Sequence, residues 1–251
     1  MKLILATGSD LNYLNKMRPY LKSIESNSNF DMNVLVFVGD DEIQLPYKNI
    51  NIVNLPLSNI QSLNINKCVQ HGDFLNSPQF DSITSDDDII IYTDGDIILQ
   101  RNLSDEEVEF YKSFKDGDVY VGYNASPTDT LSDEATRLGN TGIVSPHIKI
   151  GLCPTTKVYN TGVLVMNKRT WKKLLETYNT FYPYVEPMFH HYAKQQWLIS
   201  YIIGVNEEFN VIEMGYDVHN HKHYPSPEGT TQDNDGDVFF KNKKVLFKHK
   251  W

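Results

Sequence analysis

The sequence predicts a single α/β domain built around buried parallel strands. Three observations carry that prediction. Short continuous runs of β-branched residues alternate with segments of helical period over the first half of the chain. The 251 residues, 40% of them hydrophobic, suffice for a sizeable core and exclude intrinsic disorder. Neither an internal repeat nor a low-complexity linker divides the chain, so residues 1–251 form one unit.

Taken in order, Lys2–Ala6 reads as a buried strand, and Thr7-Gly8-Ser9-Asp10 as the turn and helix cap after it. Leu11, Leu14, Met17, Leu21 and Ile24 recur at helical spacing, with a kink expected at Pro19. Val34–Val38 is continuous and β-branched, as parallel strands buried on both faces are. Ile50–Val53 is a weaker strand, Asn66–Leu75 a short helix, and Asp88–Thr93 the clearest strand in the chain. Ser104 caps an acidic helix over 105–114, and Val119–Val121 returns to strand. From Asn124 to Lys157 little periodicity survives; a stretch of that length predicts a binding wall or lid. Val158–Asn167 is again strand, Thr170 caps a helix through Tyr178, and His191–Ile203 is a helix closed by Gly204. Short strands follow near 209–212, 238–240 and 245–247. Trp171, Tyr178, Tyr192 and Trp197 fall in the expected helices and are read as core residues rather than sugar platforms.

Charge and cysteine content narrow the function classes. Lys and Arg number 23 against 32 Asp and Glu, a formal charge of −9, which disfavours a nucleic-acid backbone or an anionic membrane as a large-area partner. The same charge leaves room for a phosphate-bearing ligand held through a metal. Two cysteines, Cys68 and Cys153, supply neither a disulfide framework nor a zinc site built on Cys. The apolar run at the N-terminus is too short for a signal peptide, and no stretch reaches the ~18 apolar residues of a membrane span. The expectation is a soluble, cytoplasmic protein.

The chemistry concentrates at Thr93-Asp94-Gly95-Asp96, directly after the strongest strand. In open α/β sheets ligands collect at the carboxyl ends of the parallel strands. Two carboxylates one residue apart can face a single divalent cation, and Gly95 permits a sharp turn between them. Hard oxygen ligands suit Mg²⁺ or Mn²⁺, which would bring a diphosphate with them. The alternative is an ordinary Asp-Gly surface turn. His219, His221 and His223 alternate, and on a strand they would share a face; the neighbouring Tyr224-Pro225 and Ser226-Pro227 favour a loop instead.

Further segments carry a family resemblance. Ile89–Ile98 resembles the metal-binding Asp-X-Asp strand of GT-A glycosyltransferases. Tyr159–Asn167 with Trp171 resembles the Asn-X-Gly-Val-hydrophobic-Asn…Trp segment of the glycogenin and lipopolysaccharide galactosyltransferase group. Gln195-Gln196-Trp197-Leu198 matches the Asp-Gln pair opening a helix in that group, with Gln195 where an Asp is usual, and Val245–Trp251 resembles its closing His-containing segment. Order and approximate spacing hold along nearly the whole chain.

The resemblance implies a GT-A, Rossmann-like fold: a mixed, mainly parallel sheet flanked by helices, with a donor half over 1–123 and an acceptor half over 124–251. It implies a metal-dependent glycosyltransferase that moves a sugar from a nucleotide-diphosphate donor, a UDP-sugar by preference, to a glycan or small-molecule acceptor. Asp96 would be the principal Mn²⁺ or Mg²⁺ ligand, with Asp94 bridging metal and ribose and His249 completing the site. Ala6, Thr7, Gly8, Asp10 and Tyr13 would hold base and ribose. Lys67 would contact the donor, or else is a solvated helix lysine, and Lys248 or Lys250 would meet the diphosphate. Asn160 would line the sugar pocket and Gln196 would sit near the anomeric carbon. His219, His221 or His223 could replace His249, whose alternative is a frayed terminus. Asp129, Asp133 and Glu186 are the carboxylates available as a base, and none stands out, which favours retention of configuration. Three rival readings remain: a haloacid-dehalogenase-like phosphatase (Ile98 holds a slot where that signature has Thr or Val), a nonenzymatic nucleotide or sugar binder, and a phage transferase acting on modified DNA bases.

Overall fold

The computed structural model describes residues 1–40, 43–56, 73–137, 155–185, 194–222 and 227–249. The helix expected at 66–75 lies mostly outside them, as do Lys67, Cys68, Cys153, Glu186, Tyr192, His223 and Lys250. In chain order the elements are β1 (Leu3–Asp10), α1 (Leu11–Leu14), α2 (Arg18–Asn27), β2 (Met32–Val38), β3 (Asn51–Leu55), α3 (Pro78–Asp81), β4 (Ile89–Thr93), β5 (Ile97–Leu99), α4 (Asp105–Lys112), β6 (Asp118–Tyr123) and α5 (Leu131–Arg137). The second half adds β7 (Tyr159–Asn167), α6 (Lys168–Val185), α7 (Lys194–Val205), β8 (Asn210–Met214), β9 (His219–His221), β10 (Thr230–Gln232), β11 (Val238–Phe240), β12 (Lys243–Lys244) and β13 (Phe247–His249).

A seven-stranded sheet in the order β3-β2-β1-β4-β7-β6-β8 forms the centre. β1 pairs in parallel with β2 and β4, β2 with β3, and β6 with β8, while β7 runs against both β4 and β6. The sheet is therefore mixed and mainly parallel. Alternation along each strand splits the core into two layers. Ile90, Tyr92, Leu164 and Met166 face Trp171, Leu174 and Tyr178 of α6 and Trp197 of α7. Ile89, Ile91, Val163 and Val165 face Met17, the α2 residues Tyr20, Leu21 and Ile24, and Tyr111 of α4. Trp171, Tyr178 and Trp197 are all buried core aromatics, as expected of them.

Several boundaries differ from the sequence reading, each for a local reason. Thr7-Gly8-Ser9 is strand and not turn, because β1 stays paired with β2 as far as Asp10 opposite Val38. Asp10 then caps α1, its side chain accepting from the Tyr13 amide. Pro19 does not kink one long helix: it sits in the first turn of a second one, α2, where its missing N–H costs nothing. Asn167, not Thr170, accepts from the first turn of α6, with the Thr170 amide 2.8 Å from its Oδ1. The Thr170 hydroxyl instead receives the Gly117 amide. α6 runs on to Val185 through Pro183, and α7 runs through Gly204 to Val205. The stretch read as irregular after Asn124 contains α5, and Thr130 bridges Lys157 across it.

A second, three-stranded sheet orders β5-β13-β9, with β13 antiparallel to β5 and parallel to β9. This sheet corrects two sequence expectations. The terminal strand is Phe247–His249 and not 245–247, and His219–His221 is strand and not loop. Among the described residues no helix is long and apolar enough to cross a membrane.

Candidate active site

The antiparallel course of β7 decides what meets at one edge of the central sheet. Its first residues lie beside the carboxyl end of β4, with Thr93 opposite Val163 and the Asp94 amide 2.8 Å from the Gly162 carbonyl. The Asp94-Gly95-Asp96 turn leaves the sheet there and enters β5 at Ile97, which pairs with His249. That register carries the last strand back to the turn. His249 Nε2 stands 3.3 Å from Asp96 Oδ1. One ligand atom each from Asp94, Asp96 and His249 lie within 4.8 Å of one another.

Gly95 is required by packing, and not by an unusual backbone angle. A Cβ there would stand 2.7 Å from Met17 Cγ and 2.9 Å from Tyr13 Cε1, so one of these side chains would have to shift. The Tyr92 hydroxyl donates to Asp94 Oδ1 at 2.7 Å and so fixes that carboxylate. Burial first, and then the Asp94 charge, push the Tyr92 phenol well up, so it stays a neutral donor. Burial, followed by Asp96 and Asp94, does the same to Tyr13.

The three side chains fit a divalent cation. His249 is 2% exposed, which removes the frayed-terminus alternative, and its Nε2 is buried without a hydrogen bond. Its other ring nitrogen lies 3.3 Å from His219 Nε2. Asp96 is 37% exposed, so the carboxylate face opens outward while the imidazole side is closed. Two carboxylates and an imidazole are donors that Mn²⁺ accepts readily and Mg²⁺ tolerates.

The remaining predicted residues scatter more widely. Ala6 and Thr7 are buried within β1, and the Thr7 hydroxyl donates to the Thr93 carbonyl at 2.8 Å. The expected binding loop therefore begins only at Asp10 and Tyr13, because Gly8 too is still strand. Asn160 is 4% exposed and its Oδ1 accepts the Gly162 amide at 3.0 Å, beside a bulge at Val121/Gly122 in β6. Lys248 neighbours His249 in β13 and so points to the other face of that strand, where its ammonium donates to the Gly236 carbonyl at 2.8 Å. A cleft of about 640 Å³ connects that face to Gly95 and Asp96 and also includes Lys16 and Lys244.

Gln196 joins a polar network that the sequence does not announce. Its Nε2 donates to Asn124 Oδ1 at 3.3 Å, and Asn124 donates to Glu134 Oε2 at 2.6 Å. Arg137 pairs with Asp129 at 2.6 Å and with Glu134 at 3.0 Å. Burial pushes the Glu134 carboxyl up, opposed by Arg137 and the Asn124 amide. The only local hint is the i,i+3 spacing of Glu134 and Arg137 on α5; the partner Gln196 is 72 residues from Asn124. Asp133 spends its carboxylate on the Thr130 amide and hydroxyl.

No family profile and no curated protein matches the sequence. Solved structures do match. The galactosyltransferase LgtC in complex with donor and acceptor sugar analogues superposes with a TM-score of 0.62 at 12% identity, covering 98% of this chain and 86% of that one. A structure of LgtC with an active-site glutamine changed to glutamate gives the same score, identity and coverage. With the mixed seven-stranded sheet and its flanking helices, this likeness establishes that the chain has the GT-A fold.

Proposed function

We propose that the protein is a metal-dependent glycosyltransferase that moves a sugar from a nucleotide-diphosphate donor, a UDP-sugar, to a glycan or small-molecule acceptor. The observation that carries this reading is the convergence of Asp94, Asp96 and His249 at the carboxyl edge of the sheet. LgtC, the structural neighbour, was captured with donor and acceptor sugar analogues. The donor half is 1–123 and the acceptor half 124–251.

Asp94, Asp96 and His249 would hold Mn²⁺ or Mg²⁺. When bound, such a cation supplies Lewis-acid stabilisation of the negative charge that develops on a departing diphosphate. The protein's own residues do the rest. Tyr92 holds Asp94 in place, and Tyr13, packed over Gly95, offers a ring edge to base and ribose. The cleft running from Asp96 to Lys248 gives the diphosphate a basic wall. Asn160 and Gln196 orient the sugar, and an active-site glutamine in LgtC supports that role for Gln196. Asp129 pairs with Arg137 and Asp133 accepts from Thr130, so neither of these two carboxylates is poised to deprotonate an acceptor hydroxyl.

A panel of nucleotide sugars, each incubated with Mn²⁺, tests the reading through release of the nucleoside diphosphate. UDP release from at least one UDP-sugar is expected. Release of inorganic phosphate from simple phosphate esters, with every nucleotide sugar left intact, would assign the site to a phosphatase instead.

A further inference from the structure

His249 is held from behind by a second histidine. His219 Nε2 lies 3.3 Å from His249 Nδ1. The two rings lie edge to edge, with centroids 5.5 Å apart and planes 20° apart, and both residues are buried, 3% and 2% exposed. The pair occupies space left by two glycines. A Cβ on Gly122 of β6 would stand 2.3 Å from His219 Nδ1, and one on Gly162 of β7 would stand 2.7 Å from His249 Cε1. Any side chain at either point would displace one of the rings. His221 closes a third side, edge-on to His249 with ring centroids 4.2 Å apart.

From this arrangement we infer that His219 is a positioning residue, which sets the tautomer and orientation of His249 so that Nε2 is the coordinating atom. The inference rests on the metal reading of Asp94, Asp96 and His249. A neutral imidazole carries one N–H, and coordination through Nε2 uses the lone pair there, so the proton sits on Nδ1. That N–H needs an acceptor in a buried site, and His219 Nε2 stands within reach of it. Metal-bound histidines depend on such outer partners, usually carboxylates or carbonyls; here a second imidazole on a neighbouring strand takes the part.

The test titrates Mn²⁺ alone against the protein by electron paramagnetic resonance, with a thermal melt of each variant. His219→Phe keeps the ring bulk and removes the acceptor, and it should weaken Mn²⁺ binding about 10- to 100-fold. His219→Gln, whose amide oxygen can accept from Nδ1–H, should recover most of that loss. Spin-echo nitrogen modulation from a coordinated imidazole should persist in both variants and vanish in His249→Ala. Should His219→Phe fail to fold, His219→Leu serves for the same comparison with His219→Gln. Wild-type affinity in the variant lacking the acceptor overturns the inference, as does a glutamine variant equally weak at an unchanged melting temperature. Nitrogen modulation lost in His219→Phe but kept in His249→Ala would make His219 the ligand, and would overturn it too. If the wild type binds no Mn²⁺, the metal reading fails and takes the inference with it; if only the histidine series fails, the metal reading stands.

Discussion

Asp96→Ala is expected to abolish sugar transfer while leaving the fold intact. Asp96 is partly exposed and faces His249 Nε2 at 3.3 Å, so its removal creates no core cavity but takes one of three donors from the cation. Losing one group that stabilises charge as the diphosphate departs costs about 10²- to 10³-fold in rate, or ~3–4 kcal/mol of barrier. Steady-state turnover of the donor found in the sugar panel measures the loss, and circular dichroism with a thermal melt checks the fold. Turnover within tenfold of wild type would contradict the role given to this carboxylate.

Trp171→Ala should have the largest effect on stability. The indole is 1% exposed in the layer between α6 and the central sheet, with its ring centroid 5.5 Å from that of Tyr92. Truncating a buried Trp to Ala costs about 3–5 kcal/mol, because the cavity left behind only partly collapses. For a chain of this size that corresponds to roughly 6–20 °C in Tm. The damage should reach the site as well, since Tyr92 is the residue that holds Asp94. Chemical denaturation and Mn²⁺ affinity measured on the same variant separate the two consequences. An unchanged midpoint would show that the layer does not depend on this side chain.

What the sequence made legible follows from where local signals and tertiary pairing agree. Val34–Val38 and Ile89–Thr93 are buried on both faces, so their continuous β-branched runs name them strands without further context. Asp94 and Asp96 stand out because they directly follow one of those runs, Ile89–Thr93. Thr7-Gly8-Ser9 reads locally as a turn, yet parallel pairing with β2 keeps it extended. His219–His221 reads locally as loop for a similar reason: the prolines after it dominate the composition, whereas its strand exists through pairing with β13. Only the family resemblance assigns His249 to the carboxylates from sequence. The physical cause is the register of β13 against β5, which no local pattern encodes. The network from Gln196 to Arg137 is hidden for the same reason, since its members converge from α7, α5 and the loop after β6.

The most direct measurement of the central claim is a calorimetric titration of UDP into the protein with Mn²⁺ present and again in excess chelator. The site made by Asp94, Asp96 and His249 predicts one UDP per chain with Mn²⁺ and no detectable binding once the metal is removed. UDP binding of equal strength with and without chelator, or no diphosphate binding under either condition, would contradict it.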